Sequence, residues 1–600
     1  MTIAGVEDTY DSPPLPDFLD ISHFPTFDMH DPRCQNYMTE MVEAMHAVGT
    51  IVSGSLFSAN RVFRYENEKG EVEAVSAASP TADTSTIFNG NISDDIPAEN
   101  LYKIIKSYGQ RTALYRKLGF DAVTVHMSYR TQFPSQLLSP LTNFRTDEFG
   151  GSFENRARFP LLMLEEIRKA GGDDLIIEIQ FSGEEPEGGY TFEEGIEFLK
   201  LAQKYVDIVV RSAEGDPNHP IPFELNPTPF LEMAAKVKVQ GLDFLVSNVG
   251  GYFDPDIADQ AIREGKVDLV AMARAWISNP DYGDIIAEGR KEDLVPCLRC
   301  NKCHGRGKRD IFTTTCSVNP LFGFEEVSPY LGKEAEKKKK VAVIGGGPGG
   351  MRTAIYLADR GHEVTIYEAE NELGGAIRHA DYVPFKWTLK EYKDYLIRQV
   401  EKRKIKVYLN TRATPETLGD EYDTVVAAIG ASPVIPKIPG ADLDHVTVAT
   451  DALMHSDKIG KNVVIIGGGE VGVETGMFLA QKGRNVTVIE MRDELAADST
   501  ATHYRSMFEE AWKAIDNFHY VLNASAKQIS KDHVTYTDKD GNDHDLPADS
   551  VILSVGMRSK SEEALSFYGK GREFWMVGDC KKPGTIQTTN RSAYGAAVNI

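Results

Sequence analysis

Twice in this 600-residue chain an apolar strand runs into a glycine-rich turn, a helix and a second strand that ends in glutamate, and this repetition restricts the possible folds more than anything else. The first unit, VAVIGGGPGGMRTAIYLADRGHEVTIYEAE, sets Gly345, Gly347 and Gly350 in G-x-G-x-x-G order, with Glu368 closing the next strand. The second, VVIIGGGEVGVETGMFLAQKGRNVTVIEM, repeats the plan with Gly467, Gly469, Gly472 and Glu490. In such a unit the first glycine permits the tight turn and the second lets backbone approach a pyrophosphate. The third lets helix pack on strand, and the helix N-terminus faces the phosphates. A strand–helix turn with no ligand is the competing reading, against which strand, helix and acid stand in register.

One unit nested inside the other is the economical organisation: 339–457 and 546–600 flank an insertion at 458–545. Two further segments of the outer unit fit a flavin domain. VVAAIGASP places Gly430 after a buried strand, and FWMVGDCKKPG ends a strand at Gly578 and Asp579, where an acid can bind the ribityl chain. Gly375 is assigned to the same FAD. The inner unit is expected to take NADH, because a carboxylate at Glu490 suits a free 2′-hydroxyl and repels a 2′-phosphate. Arg492 weakens that preference without reversing it, so NADPH stays open.

Ahead of these units, PCLRCNKCHGRGKRDIFTTTCSVNP holds Cys297, Cys300, Cys303 and Cys316 in C-x2-C-x2-C-x12-C spacing. Three thiolates two residues apart can wrap one corner of a cubane while the fourth closes it from a distance, an arrangement that [4Fe–4S] clusters use. Zinc is the alternative, but it usually takes two CxxC pairs or Cys with His, and His304 directly follows Cys303. The remaining cysteines, Cys34 and Cys580, have no evident partner. Six cysteines in this length are too few for a secreted disulfide framework.

The first 290 residues alternate short β-branched runs with amphipathic helices. The runs are Thr2–Glu7, Thr50–Phe57, Asp121–Met127, Leu175–Ser182, Val206–Ser212, Asp243–Gly250 and Val267–Ala273. That rhythm predicts an α/β fold with a parallel sheet, of TIM-type (β/α) barrel design over 1–290, with seven strands in place of eight. Residues 291–338 form a cysteine loop and a Lys-rich linker. The net charge of −24, from 65 basic and 89 acidic side chains, argues against nucleic acid and anionic membranes as partners. No apolar run approaches membrane-spanning length, and the acidic, Pro-rich start lacks the plan of a secretory signal, so a cytoplasmic protein is expected.

These residues together resemble the iron–sulfur flavoenzymes of the 2,4-dienoyl-CoA reductase, 2-enoate reductase and trimethylamine dehydrogenase family, whose front half belongs to the Old Yellow Enzyme group. The resemblance covers essentially the whole chain. It rests on LGFDAVTVH, LLSPLTNFRTDEFGGSFENRARFP at 137–160, SNVGGYFDPDIAD and VAMARAWISNPDYG, on the cysteine cluster followed by SVNP, and on both glycine units. It implies a barrel holding FMN, a nearby [4Fe–4S] cluster, and an FAD domain with an inserted NAD(P)H domain. By the same resemblance His126 occupies the carbonyl-binding position at a strand end, and Tyr129 is a carbonyl or proton donor where the family has His or Asn. A packed, hydrogen-bonded strand residue is the competing reading of His126. Gly250, Gly251 and Arg274 match the family's phosphate-binding turns; a surface ion pair is the alternative for Arg274.

The pattern breaks in three places, all concerning FMN. The family's first barrel strand is absent. Ser55 stands where a flavin-binding Gln is expected, and Gln180 replaces the Arg that faces the flavin pyrimidine edge, which weakens electrostatic support for a reduced flavin. Seven strands leave two edges, which an N-terminal segment, a second copy or a partner chain is expected to cover. The leading reading is an NADH-dependent reductase of an α,β-unsaturated carbonyl compound. The alternatives are an electron-transfer subunit with a degenerate barrel and, ranked below it, an amine dehydrogenase.

Overall fold

The computed structural model describes residues 2–4, 32–56, 62–76, 92–128, 130, 132–211, 221–304, 315–325, 333–499 and 501–600. Two compact units make up the chain: Met1–His219 with Thr228–Met272, and Pro220–Pro227 with Ala273–Ile600. The first thus ends short of the expected 290. Among the described residues no helix is long and apolar enough to cross a membrane.

In the first unit, β1 (Thr2–Ala4) and β2 (Val52–Ser55) are followed by a hairpin, β3 (Val62–Glu66) and β4 (Val72–Ser76), then by β5 (Ala122–Met127), β6 (Ile176–Phe181), β7 (Ile208–Arg211), β8 (Leu245–Val249) and β9 (Leu269–Ala271). All but the hairpin form one seven-stranded sheet in the order β1-β2-β5-β6-β7-β8-β9, with every neighbour parallel. The seven expected strands are therefore present. The hairpin falls in a stretch with no strand expectation.

Helices such as Phe153–Gly171 and Phe192–Ala202 return the chain between neighbouring strands, as parallel pairing requires. Their starts are written locally: Ser152 accepts from the Asn155 amide and Thr191 from the Glu194 amide, each satisfying an orphan donor of a first turn. Gly172, at φ +72°, ends the first of them. The 137–160 segment that makes the resemblance most specific works as a clamp on the backbone. Buried Arg145 donates to the carbonyls of Ser93 and Ile96 at 2.7 Å and pairs with Asp147. Asn143 donates to the carbonyls of Leu137 and Phe149. A Cβ on Gly150 would lie 2.1 Å from the Arg145 carbonyl oxygen, so only glycine fits.

Side chains alternate across the sheet with period two. Val123, Val125, Ile177, Ile179 and Phe181 join the apolar core. The opposite face carries Ser53, Thr124 and Glu178, linked by hydrogen bonds of 2.9 Å (Ser53 to Thr124) and 3.2 Å (Thr124 Oγ1 donating to Glu178 Oε1). Burial pushes the Glu178 carboxyl up to about 7 and holds the His126 imidazole down at about 4. This inner face is polar, with His126 neutral and Glu178 midway through its titration near neutrality.

In the second unit, five parallel strands run in the order Lys406–Tyr408, Glu363–Tyr367, Lys340–Ile344, Thr424–Ala427, Glu573–Met576. A second parallel sheet runs Val446–Val448, Ser550–Leu553, Asn462–Ile466, Asn485–Ile489, Phe518–Val521. The nesting is as expected, but the inserted sheet takes one strand on each side of 458–545. The bounds expected from the sequence give the runs HVTVA and SVILS to the outer unit, whereas their strands pair with each other and with Asn462–Ile466 in the inserted sheet. An antiparallel pair, Ala431–Pro433 with Met557–Ser559, lies where the chain leaves the outer sheet and where it comes back.

Glu178 and His126 give opposite pH limbs. Glu178 titrates above its unfolded value, so its contribution is complete below about pH 4.5 and fades as pH rises through 7. His126 titrates below its unfolded value, so its contribution is complete above about 6.5 and is lost as pH falls toward 4. Glu178→Gln is expected to stabilise the protein at pH 8 by about 1–3 kcal/mol and to change little at pH 4.5, which thermal unfolding at the two pH values checks.

Candidate functional site

Each dinucleotide unit is shaped by two contacts that exclude side chains. A Cβ on Gly350 would lie 1.9 Å from the Gly345 carbonyl oxygen, and one on Gly472 would lie 2.0 Å from that of Gly467. The first glycines adopt φ of +107° and +104°, and their Cβ atoms would strike the carbonyls of Ala428 and Ser554. Strand, turn and helix meet with nothing between them, which places the amides of helices Pro348–Asp359 and Glu470–Gln481 at the mouths of two cavities.

The outer cavity, about 360 Å³, is lined by Gly345, Gly347, Glu368, Gly375, Gly430, Gly578 and Asp579, among others. Of the residues assigned to FAD, Gly350 alone is missing from this lining; it packs behind the turn, against the Gly345 carbonyl. Gly430 (φ +72°) has no described residue within 4 Å of where a Cβ would stand, leaving an open wall. Burial raises the Asp579 carboxyl, and its Oδ1 accepts from the Gly584 amide at 3.1 Å. The inner cavity, about 880 Å³, is lined by Gly467, Gly469, Glu490 and Arg492 together with Glu470 and Asp498. Gly472 serves it from behind, through packing.

The two strand-end glutamates do a job that sequence alone did not suggest. Glu368 Oε2 accepts from the Gly346 amide at 2.7 Å and Oε1 from the Glu370 amide at 2.8 Å. Glu490 does the same with the Gly468 and Arg492 amides, at 2.6 and 2.9 Å. Each carboxylate pins its own glycine turn and keeps lone pairs over for a ribose hydroxyl. The Arg492 guanidinium lies 3.6 Å from Glu490 and is half exposed.

Between the glycine helix of the inner unit and the outer unit lies a buried ion pair with no motif to announce it. Lys386 Nζ donates to Glu474 Oε2 at 2.6 Å, with both side chains largely out of water. Nearby Glu470 is pushed up to about 7, first by burial and then by Glu474.

Cys297, Cys300, Cys303 and Cys316 line a single small cavity with Arg274 and Asn301. None is in a disulfide. Arg299 and Asn301, the residues flanking Cys300, take φ of +53° and +54°, coiling the backbone around that corner. Amides reach the sulfurs: Arg299 N to Cys297 Sγ and Asn319 N to Cys316 Sγ, both at 3.4 Å, while Ser317 Oγ lies 3.2 Å from Cys300 Sγ. Such contacts favour thiolate over thiol. Burial acts the other way and outweighs them, raising Cys297, taking Cys303 to about 11 and taking Cys316 to about 12. Arg299 is buried beneath Trp387, 4.7 Å from the ring centroid. Arg274 donates to Asn301 Oδ1 at 2.8 Å, so within its unit this side chain serves the cysteine cavity. Among the described residues no three His, Cys, Asp or Glu side chains are gathered tightly enough to hold an ion. The His304 side chain and Tyr129 lie outside the described residues.

In the first unit, His126 pairs in register with Gln180 across β5 and β6, and Ser55 pairs with Thr124. Gly250 and Gly251 take φ of +128° and +84° directly after β8, a turn that presents backbone amides. The hydroxyl of buried Tyr252, the next residue, has no hydrogen-bond partner among the described residues.

Residues 30–293 match the family described as NADH:flavin oxidoreductase / NADH oxidase, and residues 339–574 match pyridine nucleotide-disulphide oxidoreductase. An NADH oxidase of Thermoanaerobacter brockii is 31% identical over 580 residues, 94% of this chain and 86% of that one. A cinnamate reductase of Clostridium sporogenes is 29% identical, over 94% of this chain and 87% of its own length. The solved structure of a 2-naphthoyl-CoA reductase in complex with 2-naphthoyl-CoA superimposes with a TM-score of 0.85 at 28% identity, covering 95% of this chain and 88% of that one.

Since the two third-glycine contacts are equivalent, they predict separable losses. Gly350→Ala is expected to yield protein with little FAD. Gly472→Ala is expected to keep its FAD yet bind nicotinamide nucleotide at least tenfold more weakly, as flavin absorbance and nucleotide titration of the two variants would report.

Proposed function

The chain belongs to the NADH:flavin oxidoreductase / NADH oxidase family, and on that premise we propose that it takes hydride from NADH and reduces the activated C=C bond of an α,β-unsaturated carbonyl compound. The observation that carries this reading is the intact inner cavity, with its glycine turn, pinned Glu490 and room for a dinucleotide. The amine-dehydrogenase reading predicts a crippled nicotinamide site and so ranks lower. The names of the cinnamate and 2-naphthoyl-CoA reductases point the same way, toward enoates, enoyl thioesters or unsaturated ring ketones as the substrate class.

Three groups fit the residues present. The outer cavity suits FAD, with Gly347 at the pyrophosphate, Glu368 at the ribose, and Gly375, Gly430, Gly578 and Asp579 along the rest. The four cysteines suit [4Fe–4S] better than a lone zinc by their C-x2-C-x2-C-x12-C spacing, and they line a shared cavity with amide donors at sulfur. The barrel suits FMN, with Gly250 and Gly251 at its phosphate and the uncharged Ser55 and Gln180 at its ring. Bound there, FAD would accept the hydride, the cluster would pass electrons singly, and FMN would return hydride to carbon.

The protein's own contribution to the chemistry is polarity without charge. His126 stays neutral at working pH because burial disfavours its cation, so it donates an N–H to the substrate carbonyl without adding a proton to it. Tyr129, three residues on, supplies the proton to the other carbon. Arg274 and Arg299 place positive charge beside the thiolates, which offsets the charge a reduced cluster gains. The protein works as a small-molecule enzyme in the cytoplasm. A second reading, an electron-transfer subunit, draws on Ser55 and Gln180, which give a reduced flavin no cationic partner.

Anaerobically purified protein is expected to contain iron, sulfide, FAD and FMN, and to oxidise NADH with cinnamate-like or enoyl-thioester acceptors. Cys316→Ser should lose most of its iron while keeping FAD and NADH-dependent bleaching of that flavin. Zinc in place of iron would end the cluster assignment, and FAD without FMN would favour the electron-transfer subunit. His126→Asn should lower kcat on the enone by about 10²–10³, with NADH-dependent flavin reduction unchanged in rapid mixing.

A further inference from the structure

The two dinucleotide units differ at one point that their common plan does not explain. In the outer unit the middle glycine, Gly347, has more room: among the described residues a Cβ there would meet only the Cα of Gly375, at 3.8 Å. In the inner unit a Cβ on Gly469 would face both carboxylate oxygens of Asp498, at 3.6 Å. Asp498 Oδ1 accepts from the Glu470 amide at 3.1 Å, and Glu470 is the first residue of the glycine helix. A negative group therefore already sits on an amide that a pyrophosphate would take.

The loop that carries it is fixed. The Ala496 amide donates to the Gly468 carbonyl at 2.7 Å, the counterpart of Gly374 donating to Gly346 at 3.0 Å in the outer unit. Arg505 Nη1 donates to the Ala496 carbonyl at 2.7 Å. By this correspondence the outer unit has Ala376 where the inner has Asp498. The Asp498 side chain itself is exposed on the rim of the cavity, so it has room to turn out into water.

We propose that Asp498 is an affinity-setting gate of the nicotinamide site: its carboxylate stands in for the pyrophosphate in the nucleotide-free protein and must give way for the dinucleotide to seat. This rests on reading the inner unit as the NADH site. Two anions cannot share one helix terminus, so every binding event repays the displacement of a good hydrogen bond, and every release is helped by its return. The same unit, built twice, can then hold one dinucleotide permanently where nothing competes and exchange the other where a carboxylate does.

ADP-ribose and adenosine serve as probes on the anaerobic holoenzyme, because both dock without redox chemistry and only the first has a pyrophosphate. Asp498→Asn keeps size and acceptor but removes charge. It is expected to bind ADP-ribose roughly five- to tenfold more tightly at low ionic strength, with the gap closing as salt rises. Adenosine affinity and FAD content should stay as in the parent, and Asp498→Ser should move in the same direction as Asp498→Asn. If ADP-ribose binds both variants no better than the parent, or if adenosine gains as much as ADP-ribose, the gate is overturned. If ADP-ribose binds neither parent nor variants while FAD is retained, it is the nicotinamide reading of the inner unit that fails.

Discussion

Everything that the second unit does follows from one close contact, the approach of a glycine Cα to the carbonyl oxygen of another glycine at the foot of the same helix. A single carbon added at Gly350 or Gly472 would overlap that oxygen. Because no side chain intervenes, the helix leaves its strand at short range and its first amides converge on a small volume. This concentration of donors lets a chain of net charge −24 offer sites for polyanions. The charge that matters is local and comes from oriented backbone, so the overall sign of the protein does not oppose it.

The glutamates at the strand ends complete the arrangement from the other side. By accepting from the turn amides they remove two donors that would otherwise need water, and they fix the turn before any nucleotide arrives. A carboxylate that is both a structural acceptor and a ribose acceptor couples shape to recognition. The inner unit carries further carboxylates at Glu470, Glu474 and Asp498, with Lys386 paired to Glu474. The outer unit lacks such crowding at its middle glycine. Two sites with the same fold thereby acquire different electrostatics.

The barrel unit handles polarity differently. Ser53, Thr124 and Glu178 are hydrogen-bonded on the face of the sheet away from the helices, and burial keeps Glu178 and His126 in or near their neutral forms. A face lined this way offers a ligand dipoles more than charge. The cysteine loop is a third solution: left-handed residues at Arg299 and Asn301 turn the chain so that residues close in sequence can face one cavity.

Glycine spacing, cysteine spacing and the strand–helix rhythm were enough to establish two nested nucleotide units, a candidate cluster and a seven-stranded parallel sheet, because each is a local rule: a turn, a coil or a period that neighbouring residues impose on one another. Apart from Gly350, the residues that the sequence groups at one nucleotide site line one cavity, although they come from separate stretches of the chain. Tertiary structure alone decided the rest. Which sheet Val446–Val448 and Ser550–Leu553 join depends on pairing with strands far along the chain. That Arg274 faces the cysteines, that Lys386 meets Glu474, and that Asp498 lies over Gly469 depend on loops whose course no period encodes. Burial did the same for His126: a histidine at a strand end is visible in the sequence, but its charge is settled by how much water the folded chain leaves around it.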